Sequence, residues 1–344
     1  MRHAILSPAG SVAIWALAGV LLLIPCASFA QETARVFKAG ASAIDITPQK
    51  LPIDSAGSMG PRFCDSVHDR LQVRCLVLDN GETKIALAVC DSCMIPRAIF
   101  DAAKGLVAKN TGIPTDHILC SATHCHSAVT VTPTFQSQVE GAYCEFLIQR
   151  IAEGIIKAHA QREPARIGWA VGNNPRQVHN RRWYLRPGSR LDDPFDLHTD
   201  RVRMNPSPNS TSLVVPAGPT DPEVPVLAVQ ALDGRPIALW ANYALHYVGG
   251  VPPGSLSADY FGEFALQFAR LIDAASIMPA FVAAMTNGTS GDINNINFFE
   301  GRVRRKPFEQ IEIVAADVAQ SAHIAFQRVV YHDWVPLECA GKGD

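Results

Sequence analysis

Strand-like and helix-like patterns alternate along most of this 344-residue chain, and that alternation limits the folds it can adopt. Residues 96–110 show the helical spacing of apolar side chains, whereas residues 117–123 form a short apolar run typical of a buried strand. Residues 71–91 and 226–246 each have apolar runs on both sides of a turn that contains Asn-Gly or Asp-Gly, which predicts β-hairpins. Hairpins mixed with crossover helices predict an α/β domain with a mixed β-sheet and helices packed on its faces.

The first 30 residues have the layout of a secretory signal peptide. An apolar stretch at residues 12–25 is followed by Ser28 and Ala30, small residues at the −3 and −1 positions of a cleavage site. The stretch is shorter than the roughly 20 residues of a membrane span. We therefore predict cleavage after Ala30 and export to the periplasm or the medium. An uncleaved anchor, or a lipoprotein modified at Cys26, are the alternatives.

The remaining residues, 31–344, are long enough for one large domain with a sizeable core. The formal net charge of −2 argues against nucleic-acid binding, which needs a basic surface. No other segment approaches 18 uninterrupted apolar residues, so the mature chain is predicted to have no membrane span. Its partner is therefore expected to be a small-molecule or lipid substrate.

Two histidines follow the apolar run "ILCSAT" at one predicted strand end. His124 and His126 are two residues apart, and side chains at i and i+2 lie on the same face of an extended strand. Two imidazoles on one face suit a metal site or a general acid/base site. A pair of hydrogen-bonded structural histidines is the alternative, and the motif alone leaves both open.

Three further segments carry candidate site residues. His246 ends the apolar run "WANYAL", and the polar loop at residues 286–295 has Asp292 at its centre. Arg181 or Arg182 could bind an oxyanion or a carboxylate, or could point outward from a surface strand. The loop is not a G-x-S-x-G nucleophile motif, since Asp292 occupies its last position, and no H-E-x-x-H zinc motif occurs in the chain.

Taken in order, these segments resemble the N-terminal catalytic domain of the neutral/alkaline non-lysosomal ceramidases. The resemblance covers residues 37 to 297 and rests on five short motifs in the family's order. They are "AGASAIDITP", "ILCSATHCHS", "NYALH", "SADYFG" and "FVAAMTNGTSGDINN". It implies that residues 31–344 form a ceramidase-like catalytic domain.

The resemblance also implies site residues and a cofactor. The family hydrolyses the amide bond of N-acyl sphingoid lipids with a single zinc ion. His124 and His246 match its two zinc-binding histidines, and His126 matches a nearby active-site histidine expected to shuttle a proton. Arg181 matches a substrate-side arginine, and Asp292 matches the aspartate of the family's Gly-Asp-Val-Ser segment.

The chain departs from the family pattern at the remaining positions. Asn294 stands where the family has a serine, and we can name no residue for the family's glutamate and tyrosine zinc ligands, so the resemblance implies a divergent or C-terminally truncated member. A catalytic zinc site normally has three protein ligands, so a third donor is expected, with Asp259 or Cys125 as candidates. Cys125 is disfavoured because it alternates with the two histidines along the strand.

The sequence thus predicts an exported zinc-dependent hydrolase that cleaves an amide bond by metal-activated water. Two alternatives stay open. One is a catalytically inactive ceramidase-like binding protein, and the other is a zinc hydrolase acting on an ester or another non-ceramide substrate.

Overall fold

The long strands of the protein belong to one mixed sheet. The computed structural model describes residues 35–339, apart from 135, 190, 192, 194, 196, 198 and 302. Within this part the sheet strands are β1 (Lys38–Asp45), β2 (Gln72–Asp79), β3 (Lys84–Cys90), β4 (Ile118–Ala122), β5 (Glu163–Asn173), β6 (Glu223–Ala231), β7 (Pro236–Tyr243), β8 (Val282–Asn287) and β9 (Val330–His332). The predicted signal peptide, residues 1–30, lies outside the described residues, so its cleavage stays a prediction.

The sheet order explains how residues far apart in the sequence approach each other. The strands lie in the order β8-β7-β6-β5-β1-β2-β3-β4, with β9 paired to β5. The two predicted hairpins, β2–β3 and β6–β7, are antiparallel, and the pairs β3–β4 and β7–β8 are parallel. The sheet curls so that the edge strand β8 also contacts β2, β3 and the opposite edge strand β4. Loops after β4, β7 and β8 therefore meet.

Four α-helices pack on this sheet in the described part of the chain. They are α1 (Arg97–Thr111), α2 (Gly141–Ala160), α3 (Asp259–Leu271) and α4 (Glu309–Phe326). Gly112 follows α1 with a φ of 72°, the left-handed conformation that ends many helices. The buried hydrophobic residues of all four helices belong to one hydrophobic core. This arrangement confirms the predicted α/β class with a mixed sheet.

Successive side chains along β2 point alternately into two hydrophobic cores, one on each face of the sheet. Val73, Cys75 and Val77 face the large core under the helices, whereas Leu76 and Leu78 belong to a smaller core on the opposite face. A segment near the C-terminus, with Trp334, Val335 and Leu337, covers this second core. Both faces of the central strands are therefore buried, which explains their continuous apolar sequences.

Short strands and one 3-10 helix connect these elements. The strands are Ile53–Asp54, Phe63–Cys64, Ser66–Val67, His179–Asn180, Arg182–Leu185, Val202–Met204, Leu213–Pro216, Ser255–Leu256 and Ile293–Asn294, and the 3-10 helix is Thr115–His117. Among the described residues, no helix is both long enough and apolar enough to cross a membrane.

Candidate metal centre

The double-histidine motif leaves the strand earlier than the sequence indicates. β4 ends at Ala122, and His124 has a φ of 67° in the left-handed region. The backbone N–H of His124 donates to the carbonyl of Ser92 in the loop after β3, at 2.9 Å. The expectation that an extended strand places both histidines on one face was therefore wrong. Instead, a turn brings the two histidines together, and the loop after the neighbouring parallel strand β3 holds that turn in place.

Three imidazoles meet where the loops after β4 and β7 converge. Nε2 of His126 lies 3.0 Å from Nε2 of His124 and 3.3 Å from Nε2 of His246. The ring centroids of the three residues are 4.6, 4.7 and 5.1 Å apart. His246 is buried, and the other two rings are half-buried. The structure thus joins the two histidines of one motif to a third that follows 120 residues later.

A backbone carbonyl fixes the orientation of each ring. Nδ1 of His124 lies 2.7 Å from the carbonyl oxygen of Cys93, Nδ1 of His126 lies 2.9 Å from that of Gly57, and Nδ1 of His246 lies 3.0 Å from that of Ser290. A carbonyl oxygen can only accept, so each Nδ1 carries the proton and donates it. In a neutral ring, Nε2 is then left with an unprotonated lone pair. The lone pairs of the three residues face one another.

Burial keeps at least two of these rings neutral. Burial, with the neighbouring His124 and His246, lowers the pKa of His126 to about 3. Burial, with nearby Arg181 and His124, lowers the pKa of His246 to about 4, although the bond to Ser290 opposes this shift. Neutral imidazole is the form that binds a metal ion.

The donor set fits a tetrahedral metal ion such as zinc. Zinc binds histidine nitrogen at about 2.0–2.1 Å, so two nitrogens in a tetrahedral shell are about 3.3 Å apart. The two Nε2 separations, 3.0 and 3.3 Å, agree with this spacing. Carbonyl groups behind Nδ1 are also the partners that metal-bound histidines commonly have. Without a cation, three facing lone pairs would repel.

Cys93 adds sulfur to this neighbourhood. One ligand atom from each of Cys93, His124 and His126 lies within 4.8 Å of the others, so these residues form a group able to hold a metal ion. The Sγ atom of Cys93 is 3.9 Å from Nδ1 of His124. This nitrogen is not the one that faces the other imidazoles, which is Nε2. The sequence did not single out Cys93 as a candidate ligand. Its position after β3, the parallel neighbour of β4, was the signal that could have placed it near His124.

The two proposed third donors have other partners. The carboxylate of Asp259 is buried and accepts hydrogen bonds from the backbone N–H groups of Val248, Gly249 and Tyr260. Cys125 is fully buried in the large hydrophobic core. Both side chains are thus engaged elsewhere, and the imidazole of His126 is the group that lies beside Nε2 of both His124 and His246.

Arg181 and Asp292 lie together beside the loop that orients His246. Arg181 donates from Nε and Nη2 to the carbonyl oxygen of Gly291, at 3.1 and 2.5 Å. Its backbone N–H donates to the carbonyl of Asp292, whose carboxylate accepts a hydrogen bond of 3.0 Å from the side chain of Asn180. Both residues are therefore next to Ser290, the residue whose carbonyl holds His246.

Two residues that the sequence did not single out border the same centre. The ring of Tyr247 stacks on His126 with centroids 3.9 Å apart and an angle of 15° between the planes. Arg62 donates to the carbonyl of His126 at 3.5 Å and to that of Pro252 at 3.0 Å. The position of Tyr247 directly after His246 was a signal for the first residue, whereas nothing in the sequence indicated Arg62.

Comparison with solved structures identifies the fold. The neutral ceramidase from Pseudomonas aeruginosa superposes with a TM-score of 0.68 and is 17% identical in sequence. A ceramidase complexed with C2 superposes with a TM-score of 0.67 at 16% identity. The chain has the fold of the ceramidases. The match covers 86% of this chain in both cases, but only 45% and 44% of the ceramidases, so the chain spans less than half of their length.

Sequence comparison adds nothing to the structural match. No protein-family model matches the sequence, and no curated protein matches it. The ceramidase resemblance of the five motifs is therefore supported by the shared fold and not by overall sequence similarity.

Proposed function

We propose that the protein is a zinc-dependent hydrolase that cleaves the amide bond of an N-acyl substrate. The observation that carries this proposal is the convergence of three Nε2 atoms, from His124, His126 and His246, with every Nδ1 held by a carbonyl. Three protein ligands leave an open coordination position, as in catalytic zinc sites. When bound, zinc would act as a Lewis acid that polarises a carbonyl and activates water.

The proposal gives His126 a different role from the one that the sequence indicated. Its Nε2 points at the Nε2 atoms of both other histidines, and its Nδ1 donates to Gly57, so neither nitrogen faces the solvent as a proton carrier would. We therefore assign His126 as the third zinc ligand. The predicted proton-shuttle role fits these contacts less well.

The remaining residues bind and orient the substrate. Arg181, anchored on Gly291, lies close enough to His126 and His246 to lower the pKa of both, so it would bind a negatively charged group of the substrate or the oxyanion that develops in the reaction. One such donor is typically worth about 3 kcal/mol of transition-state stabilisation. Asp292 positions Arg181 through its backbone carbonyl. The substrate is a lipid or a smaller N-acyl compound, and export through the signal peptide would place the reaction outside the cytoplasm.

Metal removal tests the proposal directly. We expect the purified protein to contain about one zinc ion per chain by elemental analysis, and to hydrolyse at least one member of a panel of short- and long-chain N-acyl amides. A chelator should abolish the activity, and added zinc should restore it. The panel should include matched esters, because a zinc hydrolase that prefers esters is the second reading. Stoichiometric zinc without any hydrolysis would favour an inactive binding protein, and absence of bound zinc would refute the assignment.

Cys93→Ser separates a three-imidazole centre from one that needs sulfur. We expect this variant to keep its full zinc content, because Nε2 of His126 already lies near the tetrahedral spacing from the Nε2 atoms of both other histidines, and Sγ faces Nδ1 of His124. Its zinc affinity, measured by competition with a chromophoric chelator, should fall by less than about tenfold. Tenfold is the smallest loss of affinity that is typical when a residue supporting a metal ligand is replaced. Loss of zinc in this variant would show that the thiol is a ligand.

A further inference from the structure

Two arginines beside the three imidazoles have no acidic partner. Arg62 and Arg181 are both half-buried, and neither forms an ion pair with a carboxylate among the residues that the structure describes. By contrast, other arginines that are buried or half-buried do form ion pairs. Arg74 binds Asp91 at 2.8 Å, and Arg162 lies 3.2 Å from Asp79. Charged side chains removed from solvent are normally paired. An unpaired cation at the edge of a binding site therefore suggests that the ligand supplies the negative charge.

Backbone carbonyls fix both guanidinium groups without neutralising them. Arg62 donates from Nη1 to the carbonyl of His126 and from Nη2 to that of Pro252, whereas Arg181 donates from Nε and Nη2 to Gly291. Nε of Arg62 and Nη1 of Arg181 have no hydrogen-bond acceptor among the described residues. Carbonyl groups are neutral, so each arginine keeps its full positive charge and a free N–H group, held in a defined orientation.

Both arginines lie beside imidazoles of the centre. Arg62 donates to the carbonyl of His126, and Arg181 donates to the carbonyl of Gly291, the neighbour of the Ser290 that holds Nδ1 of His246. The ring centroids of His126 and His246 are 5.1 Å apart. The two arginines thus border the same pair of imidazoles.

The charges around the three imidazoles also favour a negatively charged ligand. Three neutral imidazoles would leave both charges of a bound zinc ion uncompensated, unlike a site with a carboxylate ligand. Of the nearby acids, Asp259 is occupied by three backbone N–H groups, and Asp292 is bound by Asn180. Asp292 is close enough to raise the pKa of Arg181, although burial is the larger influence and lowers it, but no ion pair forms between them. Neither acid therefore pairs directly with Arg62 or Arg181 among the described residues.

We propose that the substrate is an N-acyl compound whose amine part carries an anionic group, a carboxylate or a phosphate, and that Arg62 and Arg181 bind that group. Guanidinium groups suit both anions because their planar N–H donors match the oxygen geometry. This inference rests on the proposed hydrolysis at the three-imidazole centre. In that reaction the amide C–N bond breaks, the oxygen of water joins the acyl carbon, and a proton goes to the departing amine.

Three probes with the same acyl chain and different amine parts test the charge requirement. They are N-hexanoylglycine, N-hexanoyl-O-phosphoethanolamine and the neutral N-hexanoylglycinamide. Binding is measured by calorimetry on zinc-loaded and on chelator-treated protein, and hydrolysis is followed by release of the amine. We expect at least one anionic probe to bind about 10- to 100-fold more tightly than the neutral one, the range for hydrogen bonds to charged groups. Which anion is preferred distinguishes a carboxylate from a phosphate substrate.

Arg62→Gln and Arg181→Gln test the two residues, and Arg182→Gln is the matched control. Arg182 is next to Arg181 in sequence but is exposed, and its substitution makes the same change in net charge. Each of the first two variants should lose most of the preference for the anionic probe, whereas the control should keep it. Thermal unfolding of all three variants checks that they remain folded.

The outcomes distinguish this inference from the proposed function. Zinc-dependent hydrolysis without preference for an anionic probe would overturn this inference alone, as would an equal loss in Arg182→Gln, which would indicate only a general surface potential. Selective binding of an anion by a protein that holds no zinc would overturn the proposed function, while leaving the two arginines as an anion site.

Discussion

Replacing His126 with alanine is expected to remove zinc from the protein, and hydrolysis with it. His126 lies between the other two imidazoles, with its Nε2 3.0 Å from that of His124 and 3.3 Å from that of His246. Its loss would leave two protein donors, fewer than a catalytic zinc site normally has. Substitution of a residue that only supports a metal ligand costs about 10- to 100-fold in affinity, so loss of a ligand should exceed about 100-fold.

Zinc content decides between the two roles considered for His126. A proton shuttle would leave the zinc in place and reduce the rate by about 10²- to 10⁴-fold, whereas a ligand takes the zinc with it. His117→Ala is the matched control, because its Nδ1 is also 3.1 Å from a backbone carbonyl, that of Lys84, but the residue lies in the 3-10 helix before β4. The control should retain zinc and activity. Full zinc occupancy in His126→Ala would restore the proton-shuttle role.

Local patterns in the sequence were sufficient to predict most of the elements. The hairpin turns at residues 80–83 and 232–235, and the glycine cap after α1, follow from backbone preferences that neighbouring residues determine by themselves. These features depend on contacts between residues close in sequence, which explains why they could be read without a structure.

The composition of the candidate site depended on contacts that no local pattern encodes. His124 and His246 were paired by the family resemblance, but the curling of the sheet that brings β4 towards β8 is a long-range property. The carbonyls of Cys93, Gly57 and Ser290 orient the three rings, and a backbone carbonyl is present in every residue whatever its side chain. The sequence therefore contains no direct sign of which residues hold the imidazoles.

Gly57 is the position where a single methyl group should disturb the centre most. Its φ of 97° lies in the left-handed region, and a Cβ added there would be 2.5 Å from Cβ and 2.6 Å from Cα of His126. The unfavourable backbone conformation costs about 1–2 kcal/mol. Overpacking against a neighbour that is fixed on both sides costs about 1–3 kcal/mol more. We expect Gly57→Ala to lower the free energy of unfolding by about 2–5 kcal/mol, measured by urea denaturation of the zinc-free protein.

The same substitution should weaken zinc binding by a separate route. The carbonyl of Gly57 accepts the hydrogen bond from Nδ1 of His126, so displacement of either residue turns the ring and moves Nε2 away from the other two imidazoles. We expect zinc affinity to fall by about 10- to 100-fold, because the ring of His126 would lose the hydrogen bond that orients it. Gly60→Ala is the control in the same loop, because a Cβ there meets no atom within 4 Å. If Gly57→Ala lost stability and kept wild-type zinc affinity, the imidazole of His126 would not depend on this carbonyl, and His126 would not be a zinc ligand positioned by Gly57.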